Sequence, residues 1–208
     1  SMTNRIDIQE FINNAPENIV GSLNHPEAVT ADMLDNIPHR YSSNLVVQYW
    51  LQVEKEDTVM RLLIDNKVAK YLGCTEEYLY YHACKNIGTP VVKNIIDMMS
   101  SMVSIDTGFN DDDVLLYIIT NASMIFGAFY LCMPDVIGKI ADDYDSDLII
   151  IPSSKHELLF IKKNQLSISI SDVKQMVYTV NRTELEPKDI LSDNVYVWDR
   201  EKKKLIVY

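Results

Sequence analysis

Two short, almost wholly apolar runs set the terms on which this chain can fold: Asp147–Ile151 (DLIII) and Glu157–Lys162 (ELLFIK), joined through Pro152-Ser153-Ser154-Lys155-His156. Apolar runs of this length, bounded by turn residues, read as strands buried within a sheet. Val114–Thr120 (VLLYIIT) reads the same way, and Asn44–Val53 (NLVVQYWLQV) is rich in the Val, Tyr and Trp that favour strands. Asn194–Trp198 and Lys204–Val207 read as a hairpin across Asp199–Lys203. Thr58–Ile64 is open at this level: a second strand, or the opening of the helix that follows.

Between these runs the period changes from two to that of a helix. Ile8, Phe11, Ile12 and Ala15 mark a short amphipathic helix closing near Pro16, and Asn18–Ser43 reads as loops around one helical turn or two. Thr75 is placed to cap EEYLYYHACKNI, with Glu76 and Glu77 at the positive end of its dipole, and Gly73 to close DNKVAKYL before it. Thr89-Pro90 reads as a cap and first helical residue, followed by a stripe of Val92, Ile95, Ile96, Met99 and Val103. Ile137, Ile140, Ala141 and Tyr144 repeat the spacing after Pro134. Ser171 is placed to cap a last helix carrying Val173, Met176, Val177 and Val180. The expectation is an α+β fold, with a mostly antiparallel or mixed sheet packed with amphipathic helices. No repeat or linker interrupts it, so a single domain over residues 3–208 is expected, with Ser1-Met2 read as a cloning scar.

The chain has 208 residues, enough to bury about 70% of its unfolded surface without a disulfide or metal staple. Its 19 Lys+Arg against 30 Asp+Glu give a formal net charge of -11, a field that repels phosphate backbones and anionic lipid. Nucleic acid and membrane surfaces are therefore disfavoured as partners. Cys74, Cys84 and Cys132 are odd in number and contain no C-x-x-C pair, so neither a disulfide framework nor a zinc knuckle is indicated. The N-terminus lacks the apolar stretch of a signal peptide, and the longest apolar run, Met124–Met133, is about half of what a spanning helix needs. The expected location is the cytoplasm.

Further residues fall into a recognisable pattern. Asn121, the step Phe126-Gly127-Ala128, Ile140-Ala141 and Ile151-Pro152-Ser153-Ser154-x-His156-Glu157 form its first part. Val177-x-x-Val180-Asn181 and Leu191-Ser192-Asp193-x-Val195-Tyr196 form its second, with Leu79, Ala83, Asn86 and Pro90 upstream. The pattern resembles an uncharacterised family of proteins from gut-associated clostridia and their relatives, a domain of unknown function. The resemblance covers roughly Leu45 to Tyr196, and P-S-S-x-H-E is its most specific element. It implies a bacterial, intracellular α+β protein and carries no activity, substrate or partner.

Ser153, Ser154, His156 and Glu157 bring together the residue types of nucleophilic catalysis, with Asn121 a possible fifth member opposite them. A triad needs the serine oxygen on one imidazole nitrogen and the carboxylate on the other. On a strand His156 and Glu157 point to opposite faces, and no G-x-S-x-G elbow occurs. The plainer reading is a turn whose serines bond the local backbone and whose histidine anchors it. Asp143-x-Asp145-x-Asp147 fails as a calcium loop, because the sixth and twelfth positions are Leu148 and Ser154 instead of glycine and glutamate. Asn110–Asp113 reads as an exposed loop. His25, His39, His82 and His156 show no metal-ligand spacing, and six scattered glycines make no phosphate-binding loop. Gly127 fits a place of close backbone packing.

Tyr71, Tyr78, Tyr80 and Tyr81 lie too close in sequence for all to enter one core, so some tyrosine surface is expected outside, where interfaces are enriched in it. Two functions are carried forward. The first is a non-catalytic cytoplasmic binding or protein-interaction module, without metal or cofactor, with a homodimer as the default assembly. The alternative is a small hydrolase-like enzyme or ligand-binding protein centred on Ser153–Glu157.

Overall fold

The structure, a computed structural model, describes residues 8–98 and 115–208. Its backbone divides into two compact units, Ser1–Gly88 and Thr89–Tyr208, and each is α+β with its own antiparallel sheet.

The first unit is built on one long strand. Its elements are α1 (Ile8–Ile12), α2 (Ala15–Asn18), β1 (Ile19–Asn24), α3 (Ala31–Asn36), β2 (Arg40–Ser42), β3 (Leu45–Lys55), β4 (Thr58–Leu63), α4 (Asn66–Leu72) and α5 (Glu76–Asn86). β3 pairs with β1 on one side and with β2 and then β4 on the other. Residues 45–49 and Leu51 are buried, on both faces of the strand, which explains a mostly apolar run without alternation. One face, with Tyr49 and Leu51, carries Arg40 of β2 in register with Val47; on the other, Val46 packs against Val29 and Ile37. Asn86, at the end of α5, donates to the carbonyls of Pro16 and Ile19 at 2.8 and 2.9 Å, tying that helix to the start of β1.

Two expectations are corrected here. Pro16 opens α2 at its first turn, where a missing N–H is harmless, instead of closing a longer helix. Asn18–Ser43 contains two strands, and β1 was hidden because Gly21, Ser22 and Asn24 dilute its apolar pattern. Ser22 and Asn24 are buried, and Asn24 is satisfied by the Val46 carbonyl at 3.2 Å. Thr58–Leu63 is a strand, and Thr75 and Gly73 act as expected: Thr75 accepts from the Tyr78 amide and Gly73 takes φ 68°.

The second unit has one sheet in the order β10-β9-β7-β8-β6-β5, antiparallel at every step. The strands are β5 (Val91–Asn94), β6 (Tyr117–Thr120), β7 (Leu148–Ser154), β8 (Glu157–Lys162), β9 (Tyr196–Asp199) and β10 (Lys204–Val207). Helices α6 (Pro134–Asp143) and α7 (Ile170–Thr183) take opposite faces. Ile149 and Val197 pack on Val173 and Val177 of α7. On the other face, Gly138 of α6 lies so near Trp198 that an added Cβ would stand 3.0 Å from the indole. With both faces covered, residues 148–151 of β7 and 158–161 of β8 are apolar without alternation.

The stretch after Thr89-Pro90 departs from its helical reading. Val91–Asn94 is a strand paired with β6, and helix begins only at residue 95; Met99, Val103, Asn110–Asp113 and Val114 lie outside the described residues. Two adjacent β-branched valines facing a ready edge outweigh the cap signal. The cap of α7 is Ser169, two residues before Ser171, in a capping box with Asp172. Of its four expected core residues, Val173 and Val177 are buried, while Met176 and Val180 are 60% and 50% exposed.

Candidate functional site

The turn between β7 and β8 is where Ser153, Ser154, His156 and Glu157 meet, and it is built by an irregularity in the pairing. Register shifts between Ile151 and Ser154, and Pro152, which has no N–H to give to a ladder, sits in that bulge. The Ser154 hydroxyl accepts the His156 amide at 3.0 Å, and the Ser153 hydroxyl donates to Glu157 Oε1 at 3.1 Å. The exposed His156 ring uses Nδ1 to accept the Phe126 amide at 3.0 Å and stacks on the Phe126 ring with centroids 5.5 Å apart.

Asn121 completes the arrangement from just beyond the end of β6. Its amide nitrogen donates to the Ile125 carbonyl at 2.8 Å and its oxygen accepts the Ile125 amide at 3.0 Å, closing the 121–125 segment on itself. That closure presents the next amide, Phe126, to His156. Thr120 Oγ1 donates to the His156 carbonyl at 2.8 Å, and the Ala128 amide to the Lys155 carbonyl at 3.2 Å. The structure thus brings Asn121 and His156 into one cluster, joined through Phe126. Gly127 belongs there by necessity, since a Cβ would meet the His156 carbonyl oxygen and lie 2.9 Å from Thr120 Cα.

Chemically, these bonds are those of an anchored turn. A catalytic imidazole directs Nδ1–H at a carboxylate and takes a hydroxyl proton at Nε2. Here Nδ1 accepts a backbone amide, which places the ring proton of the neutral form on Nε2, and the Glu157 carboxylate pairs with Ser153.

The aspartate series is likewise engaged. Arg200 donates to Asp142 at 3.1 Å and to Asp145 at 2.9 Å, while its own amide donates to Asp147 at 3.0 Å. Among the described residues no group of three or more His, Cys, Asp or Glu is arranged to hold a metal ion. Among them, too, no helix is long and apolar enough to cross a membrane.

Sequence reasoning missed a polar network in the first unit. Arg40 makes two bonds to Glu76, at 2.6 and 2.7 Å, Tyr49 donates to the same carboxylate, and the guanidinium lies 3.6 Å from the centroid of the Tyr80 ring. Burial pushes the Glu76 carboxyl up, but the bonds from Arg40 and Tyr49 outweigh it and hold the group below its ordinary value. Glu76 was visible only as a first-turn acid; its partners come from β2 and β3, which no local pattern connects. Burial also raises the Cys74 and Cys84 thiols, which removes them from the front rank of nucleophiles.

The tyrosines divide as the helix requires. Tyr80 turns to Arg40, whereas Tyr71, Tyr78 and Tyr81 are 74%, 39% and 62% exposed. Tyr78 and Tyr81 flank His82, with ring centroids 4.3 and 5.2 Å from it, forming one aromatic patch on the outer face of α5.

What the fold and sites define is an α+β protein of two antiparallel sheets, with a bulged and self-bonded turn and an aromatic helix face. The chain belongs to a family of unknown function, DUF5688, whose pattern it matches over residues 2–200. That match extends the resemblance back through the first three helices and β1. No curated protein and no solved structure matches it.

Proposed function

We propose that this protein is a non-catalytic, cytoplasmic protein-interaction module whose contact surface is the Tyr78–His82–Tyr81 face of α5. The observation that carries the reading is that Tyr78 and Tyr81, both exposed, set their rings tilted and edge-on against half-buried His82 on one helix instead of entering the core. Tyrosine supplies a large contact area at low entropic cost and recurs at the centres of interfaces. The Ser153–Glu157 turn supports the same reading, because its side chains bond one another and the backbone. The formal charge of -11 favours a protein partner over nucleic acid.

The double variant Tyr78→Ala/Tyr81→Ala tests it. The immobilised wild-type chain should retain a partner from a lysate of its source organism, and the variant should retain at least about tenfold less of that same partner, as expected for interface aromatics worth roughly 2 kcal/mol each. Its melting temperature should be unchanged. Undiminished retention, or a loss matched by a lowered melting temperature, would overturn the proposal.

A further inference from the structure

A groove of about 640 Å³ lies in the second unit, between Thr89, Pro90 and Val92 on one side and one face of α6 on the other. Pro90, Val92, Val136 and Ile140 give it an apolar floor, and Asp135, Lys139, Asp143 and Tyr144 stand along the helix side. The two carboxylates are eight residues apart on one helix, which spaces them by about 12 Å along its axis. Asp135 sits in the first turn of α6. Asp143 holds the Lys139 ammonium at 2.8 Å, an exposed i,i+4 pair of the kind that is only weakly held. The Tyr144 ring, packed edge-on against Tyr117 and Phe160, stands beside Asp143.

We propose that this groove is a binding site for a linear alkyl diamine, with one ammonium at Asp135, the methylenes over Pro90, Val92, Val136 and Ile140, and the other ammonium at Asp143 beside the Tyr144 ring. Charge complementarity selects this occupant. Two carboxylates against the single ammonium of Lys139 along an apolar trough, on a chain of net charge -11, disfavour an anionic amphiphile. A small metal ion would gain nothing from the apolar floor. Lys139 shows how the far end is used: its own alkylammonium lies on Asp143, and the ligand replaces it. An ammonium beside a tyrosine ring also gains from the ring's negative face. None of the groove residues belongs to α5, so this proposal stands or falls independently of the interaction surface proposed above.

Calorimetric titration of the full chain with diaminooctane, diaminopropane and magnesium tests the proposal, with amide chemical shifts locating the binding. Diaminooctane should bind with one-to-one stoichiometry and shift the amides of residues 135–144, while diaminopropane, too short to span the two aspartates, should bind at least about threefold more weakly. Asp135→Asn should weaken diaminooctane binding by a similar factor. Lys139→Met, which removes the competing ammonium, should tighten it. Equal binding of the short diamine or of magnesium, indifference to Asp135→Asn, weakening by Lys139→Met, or no binding at all would each overturn it.

Discussion

A hydrogen atom in place of a methyl group at residue 127 lets two chain segments touch. The Thr120 backbone and the His156 carbonyl crowd the spot where a Cβ would stand, and both are main chain that cannot swing aside. Gly127→Ala should therefore cost about 1–3 kcal/mol, the usual range for overpacking a tight contact. Urea unfolding checks it, and a change within about 0.5 kcal/mol, typical of a harmless surface site, would show that the segments separate freely. The single glycine in F-G-A hinted at close packing, and P-S-S-x-H-E hinted at a turn. That the two meet was not legible, because their sequence separation is about thirty residues and the bonds joining them are largely to backbone atoms, which every residue carries.

Helices and strands show how local signals compete. Thr75 and Gly73 act as their sequence suggests because capping is a contest over three or four neighbouring residues. For α7, Asp172 makes Ser169 the cap instead of the expected Ser171: its carboxylate accepts the Ser169 amide and hydroxyl while the Ser169 hydroxyl accepts the Asp172 amide. Ser169→Ala should cost about 1 kcal/mol and Ser171→Ala only a few tenths, as chemical denaturation of the two variants would measure. Equal losses would mean that the cap is shared. At Val91–Asn94 a cap signal was overruled, since pairing with β6 joins backbone groups across a gap in sequence that no helical periodicity registers. Met176 and Val180 teach the converse: helical spacing marks an apolar face, but the width of that face which is covered depends on what packs against it.

At the scale of the whole molecule, polar networks tie distant elements together and make stability depend on pH. Glu76 of α5, held by Arg40 of β2 and Tyr49 of β3, has a folded-state carboxyl below its ordinary value of 4.5. A depressed acid contributes stability that is complete above the unfolded-state value and is lost as pH falls through the folded-state value. Unfolding free energy measured from pH 7 down to about pH 3 should therefore fall most steeply below about pH 4.5, and Glu76→Gln should both lower it at neutral pH and flatten that decline. A variant with the wild-type slope would assign the acid sensitivity to other carboxylates.

By itself, the sequence determined which stretches are strand and which are helix wherever neighbours within one turn or one strand decide, and it determined the α+β class, the formal net charge and the failure of the calcium and phosphate motifs. Tertiary structure alone decided the sheet orders, the strand character of Ile19–Asn24 and Val91–Asn94, the meeting of Asn121 with His156, the Arg40–Glu76–Tyr49 network and the groove beside α6. The physical reason is range. Capping, periodicity and turn chemistry act among residues a few positions apart, whereas register, burial and polar pairing across the fold depend on which distant segments arrive together, and one chain read in order does not record that.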